Sequence, residues 1–118
     1  MKYENQICQL LRQLGVNNSY VGFRYAVQGA MLNIQNPQLL TYISKGIYAE
    51  IACNFHTTIG CVERNIRTVV NTIWTRGNRE LLRQIFNCPL NEKPRNSSFI
   101  DALSQYVLLQ SQDNQPIL

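Results

Sequence analysis

Between Ile59 and Arg76 the apolar residues Val62, Ile66, Val69, Val70, Ile73 and Trp74 recur every three or four positions, and Gly77-Asn78 follows at once. That spacing draws one apolar stripe along a helix of about five turns. Other helices must bury such a stripe, because a strand would send alternate residues to opposite faces. The residues just upstream tighten the constraint. Ile51, Ala52 and Phe55 keep helical spacing, and His56-Thr57-Thr58 interposes a short polar turn. The threonine hydroxyls there are suited to accept from the free N–H groups of the following helix. Ala52 is small where two steeply crossed helices must approach closely. A small residue, an apolar residue three places on, and the anchors Val62 and Ile66 together follow the pattern of a helix-turn-helix. That pattern points to a chain that reads DNA, with a recognition helix over about 59–76.

The rest of the chain repeats the helical period. Ile7, Leu10, Leu11 and Leu14 form a stripe ended by Gly15, a C-terminal cap. Asn17-Asn18-Ser19 offers an N-cap to a second helix, whose apolar positions are Phe23, Val27, Ala30, Met31 and Ile34. Pro37 suits the first turn of a third, carried by Leu39, Leu40, Ile43 and Ile47. That third helix either runs into the motif or breaks near Gly46. Gly77-Asn78 is expected to stop the long helix with a left-handed cap. Leu81, Leu82, Ile85 and Phe86 make a short helix, and a loop holds Pro89 and Pro94. Asn96-Ser97-Ser98 then caps a last helix through Phe99, Ile100, Leu103, Val107 and Leu108. The expected fold is all-α, a single domain of about six helices over residues 1–110, with a frayed tail over 111–118.

Composition narrows the setting. With 45% hydrophobic and 15% charged residues, the chain is suited to a packed core rather than disorder. No apolar run approaches the roughly 18 to 20 residues of a membrane span, and the N-terminus lacks a signal-peptide stretch. A cytoplasmic protein that leaves membranes alone is expected. Cys8, Cys53, Cys61 and Cys88 contain no C-x-x-C pair and read as free thiols. Cys53, His56 and Cys61 have a spacing reminiscent of zinc ligands, but only the distant Cys88 would supply a fourth. No metal, cofactor or catalytic group is therefore expected, nor enzymatic activity: no orienting acid accompanies Cys61 and His56. The net charge is +4, and three of those four charges fall between Glu63 and Arg83. Arg64, Arg67, Arg76, Arg79 and Arg83 there outnumber Glu63 and Glu80, which favours a polyanionic partner.

Three separated motifs carry a family likeness: Val62-Glu63-Arg64-Asn65-Ile66-Arg67, Trp74-Thr75-Arg76-Gly77-Asn78, and Lys93-Pro94-Arg95-Asn96-Ser97-Ser98-Phe99-Ile100. With Leu14-Gly15-Val16, Gly22, Tyr25 and Ile51-Ala52, the chain resembles, from about Ile7 to Leu109, the C-terminal DNA-binding effector domain of the sporulation response regulator family, stage zero sporulation protein A. The resemblance implies a six-helix domain that binds short DNA boxes as tandem copies, its recognition helix in the major groove. In full-length members an N-terminal receiver is phosphorylated. The 118 residues here leave no room for one, so the chain is either a piece of a longer regulator or a free-standing form. The family's recognition helix also opens with serine and arginine where this chain has Gly60 and Cys61. A thiol cannot pair with guanine through two hydrogen bonds, so an altered or relaxed sequence preference is expected.

Gly60, Cys61, Glu63, Arg64 and Arg67 are thus the candidate base readers. Glu63 is suited to accept from a cytosine amino group, or else to pair with Arg67 one turn on. Thr57, Thr58, Arg76, Asn78, Lys93, Arg95, Asn96, Ser97 and Ser98 are the candidate phosphate contacts. Arg79 and Arg83 read as solvated surface, and Trp74, Tyr25 and Phe99 as core anchors. The expected partner is double-stranded DNA, bound by a transcription regulator. The alternative is a receiver-less interaction module that pairs with a full-length regulator or RNA polymerase and binds DNA weakly.

Overall fold

In the computed structural model, which describes residues 2–113, six α-helices account for the regular structure together with two irregular turns, and the described residues contain no strand. The helices are α1 (Lys2–Leu14), α2 (Val21–Gln35), α3 (Ala49–Asn54), α4 (Ile59–Arg76), α5 (Arg79–Phe86) and α6 (Asn96–Asp113). None of them is long and apolar enough to cross a membrane.

Helix α2 is apolar on nearly every side and lies at the centre. Phe23, Tyr25, Ala26, Val27, Ala30 and Met31 are all buried, as a helix flanked on several faces requires. It packs against α1, α4 and α6. Ile7, Leu11 and Leu14 reach it from α1, Ile66, Val69 and Ile73 from α4, and Phe99, Ile100 and Leu103 from α6; all nine are fully buried. Small residues set how closely the helices approach. A Cβ at Gly22 would lie 2.0 Å from the Asn65 carbonyl oxygen of α4. On the other side, the buried Ser104 hydroxyl bridges α6 to α2, 2.8 Å from the Ile100 carbonyl and 3.1 Å from that of Ala30.

Four local expectations are corrected. The stretch after Pro37 is not one helix but a 3₁₀ turn (Pro37–Leu40) and a single π-type turn (Ser44–Tyr48) running directly into α3. The chain folds back tightly here: a Cβ at Gly46 would lie 2.3 Å from the Leu39 carbonyl oxygen, and the Tyr48 N–H donates to Ile43. Gly77 ends α4 in an extended conformation (φ −90°, ψ −167°), not a left-handed one. Its need for glycine comes from packing, since a Cβ would lie 2.4 Å from the Leu14 carbonyl oxygen. That same carbonyl accepts the Asn78 N–H at 3.0 Å, tying the end of α1 to the end of α4. Before α2, Asn17 accepts from the Ser19 N–H rather than capping the helix, and the N-cap position falls to Tyr20 without a side-chain bond. Finally, α6 continues through Asp113, with Ser111 buried and its hydroxyl donating to Gln6 Oε1 at 3.3 Å. The tail therefore does not begin at Ser111; residues 114–118 lie outside the described residues.

Candidate nucleic-acid interface

A Schellman-type end to α3 forms the turn between α3 and α4. The Thr57 N–H donates to Ala52 (2.9 Å) and the His56 N–H to Cys53 (3.4 Å), with His56 in a left-handed conformation at φ 55°. Phe55 locks the turn inward, its ring set edge-on to buried Tyr25 at 5.2 Å between centroids. Thr58 then caps α4, its hydroxyl accepting from the Cys61 N–H at 3.0 Å. A cap of this kind contributes about 1 kcal/mol. These contacts fix where the first turn of α4 begins, and so which of its residues face outward.

With Val62, Ile66, Val69, Val70 and Ile73 buried, the solvent face of α4 carries Gly60, Arg64, Arg67, Thr68 and Thr75, with Asn71 half-buried beside them. Helical steps of 100° place all six within about 60° of Arg64. Thr68 and Asn71 were not singled out from sequence, although they stand four and seven positions after Arg64. The Thr68 hydroxyl donates back to the Arg64 carbonyl at 3.0 Å. Gly60 keeps the face open: a Cβ there would meet only the tip of the Arg64 guanidinium, at 3.3 Å. Arg64 itself makes no ion pair among the described residues.

Glu63 and Arg67 form an ion pair one turn apart, so the simpler of the two readings of Glu63 is realised in the free chain. Both line a groove of about 420 Å³ between α4 and the start of α6, together with Tyr48, Lys93, Arg95, Asn96 and Ser97. Lys93 hydrogen-bonds the Asn71 side chain and so joins the loop before α6 to the outer face of α4. Six of the sequence candidates (Glu63, Arg67, Lys93, Arg95, Asn96 and Ser97) therefore meet in one place. Ser98 is exposed on the first turn of α6, outside that groove. Thr57, Thr58 and Gly60 lie at the N-terminal end of α4, and Arg76 at its far end, about 18 Å along the axis from Arg64.

Several side chains have local partners. Asn78 caps α5, accepting from the Leu81 N–H at 3.0 Å. Arg79 is not simply solvated: its guanidinium stacks over Trp74, 3.5 Å from the ring centroid, and its Nε donates to the Trp74 carbonyl. Trp74 accordingly remains half-buried rather than enclosed in the core. Arg83 pairs with Glu80.

Cys61 is half-buried on the flank of α4, with Asn65 Nδ2 donating to its sulfur at 3.3 Å. The Thr57 hydroxyl lowers its pKa most, against a smaller opposing effect of burial, and the Tyr25 hydroxyl, Arg64 and Asn65 act in the same direction. Burial instead raises the Cys8 thiol. Thiolate is the reactive form. Iodoacetamide should therefore label Cys61 with a midpoint below the ordinary value of 9.0, and Cys8 with one above it. Thr57→Val should raise the Cys61 midpoint more than Tyr25→Phe does. Equal midpoints for Cys61 and Cys8, followed by mass spectrometry of the labelled peptides, would contradict this arrangement.

A family model described as sporulation initiation factor Spo0A C terminal matches residues 7–107. The chain belongs to that family. The match starts at Ile7, the first core residue of α1, and ends at Val107, the last apolar core residue of α6, so it spans the entire core. The Spo0A C-terminal family is one of DNA-binding regulatory domains rather than of enzymes. Leu14-Gly15 and Gly77-Asn78, far apart in sequence, meet within that core where α1 and α4 end.

Proposed function

We propose that this domain is a transcription regulator that binds double-stranded DNA in a sequence-dependent way, with the N-terminal half of α4 in the major groove. The observation that carries the reading is the open face of α4, where Gly60, Arg64, Arg67 and Thr68 stand together above a buried stripe. A major groove about 12 Å wide admits a helix presenting such a face. Arg64 supplies donors for a guanine edge, and Thr68 presents a methyl group and an acceptor oxygen. Arg67 reaches either a base or a phosphate once its pair with Glu63 opens.

Phosphate contacts are assigned to both sides of α4. Lys93, Arg95, Ser97, Ser98 and the free N–H groups of α6 serve one strand, and Thr57 and Thr58 the other, with Arg76 further along the helix. A helix N-terminus flanked by two cations is well suited to a phosphate. Asn78 contributes through the cap that holds α5, and Cys61 lines the edge of the reading face. A second copy on an adjacent DNA box, or RNA polymerase, would use faces that α4 leaves free, and the setting is the cytoplasm. Selection of duplexes from a random pool should enrich a defined sequence. A pool that remains random after repeated rounds, despite binding, would overturn the sequence-dependent part of the proposal.

A further inference from the structure

Asn96 opens α6, the end of the helix on which a phosphate would sit, yet its side chain does not point to solvent. Its Nδ2 donates to the Glu63 carbonyl oxygen at 3.1 Å and to the Tyr48 hydroxyl at 3.0 Å. The Glu63 carbonyl can only accept, which fixes the amide orientation with Nδ2 toward α4. Tyr48, only 3% exposed, closes the π-type turn that leads into α3. One half-buried amide thus joins three segments: the start of α6, the entry to α3, and the second turn of α4. An amide nitrogen carries two hydrogens, and both are used. The remaining Oδ1 is an acceptor, which a phosphate oxygen would repel.

We infer that Asn96 is a positioning residue for DNA reading, and not a phosphate contact: it sets the placement of the α6 N-terminus against the reading face of α4. The inference deepens the DNA-binding proposal above and rests on it for its consequence in binding. Lys93, Arg95 and Ser97 fix the backbone of the DNA, whereas Arg64 and Arg67 address base edges. Discrimination requires both sets to engage in one register; Asn96 links α6 itself to α4 from a half-buried position, while Lys93 joins only the preceding loop to Asn71 at the surface. Losing it leaves every cation in place but loosens the register.

The test compares the wild-type domain with Asn96→Ala and Tyr48→Phe, the second of which removes one acceptor while keeping the ring in the core. Binding is measured by fluorescence anisotropy on a selected duplex and its scrambled version across a salt series. Asn96→Ala should weaken selected-duplex binding about tenfold, leave scrambled-duplex binding within twofold, and leave the slope of log K against log salt unchanged. Tyr48→Phe should shift binding in the same direction by less. A phosphate contact would instead weaken both duplexes equally and reduce the slope by about one. Lys93→Ala should behave in that second way. Amide residual dipolar couplings of the free domain report the orientation of α4 against α6 independently of DNA. A changed orientation in Asn96→Ala supports the inference, and an unchanged one overturns it. If the wild type binds no duplex, the DNA proposal fails while the couplings still decide the positioning role.

Discussion

Gly22→Ala should destabilise the domain by about 3 kcal/mol or more, toward the upper end of the cost of overpacking a core. Its Cβ would lie 2.0 Å from the Asn65 carbonyl oxygen, 2.6 Å from the carbonyl carbon and 2.8 Å from Val69 Cγ2. Two of those three atoms are backbone, so no rotamer change relieves the clash. Only movement of α4 away from α2 does, and that opens the core around Val69 and Ile66. For a domain of this size the melting temperature should fall by about 10 °C or more, read by circular dichroism. Gly60→Ala is the matched control. Its Cβ meets only a flexible guanidinium, and alanine favours a helix over glycine by about 0.5–1 kcal/mol. Stability should therefore hold or rise slightly. Equal melting temperatures for Gly22→Ala and the wild type would refute the close α2–α4 packing.

The second large effect concerns binding. Arg64→Ala should weaken binding to a selected duplex by about 1–3 kcal/mol, roughly 5- to 150-fold, the range of one base-reading arginine. Thermal stability should hardly change, because Arg64 is exposed and has no ion-pair partner among the described residues. Arg67→Ala should cost more, because it also frees the Glu63 carboxylate to face a polyanion. Adding Glu63→Gln to Arg67→Ala should then recover part of the loss, and anisotropy on the four variants of the cycle checks it. The exposed pair itself contributes only about 0.3–0.5 kcal/mol to folding. A double variant no better than Arg67→Ala alone would show that Glu63 is not repelling DNA.

Much of the fold was legible because its helices are amphipathic or strongly apolar. The stripes through Ile7–Leu14 and Val62–Ile73 admit one reading, and Ile7, Leu11, Leu14, Val62, Ile66, Val69 and Ile73 on them are fully buried. The segment from Pro37 to Tyr48 departs from the expected helix although its apolar spacing is compatible with one. There the chain folds back on itself so closely that Gly46 lies against the Leu39 backbone, a contact that apolar spacing does not encode. Gly77 shows the same limit: its place at the end of a helical stripe is legible, but its reason lies in Leu14, more than sixty residues earlier. In the candidate interface, residue type identified the arginines, but not who holds whom. The turning of Asn96 inward depends on Tyr48 and Glu63, far along the chain, and the Arg79–Trp74 stack on how α5 leaves α4, whereas Thr68 and Asn71 stand at helical spacing from Arg64.

On the proposed reading, the open face of α4 reads a duplex sequence while cations around it bind the backbone. The most direct measurement is anisotropy of the wild-type domain on a selected duplex and on its scrambled version, from low to physiological salt and beyond. Both affinities should fall steeply with salt, the selected duplex should stay tighter throughout, and the ratio should collapse in Arg64→Ala. Equal affinity for the two duplexes at every salt concentration, or a ratio untouched by Arg64→Ala, would contradict it.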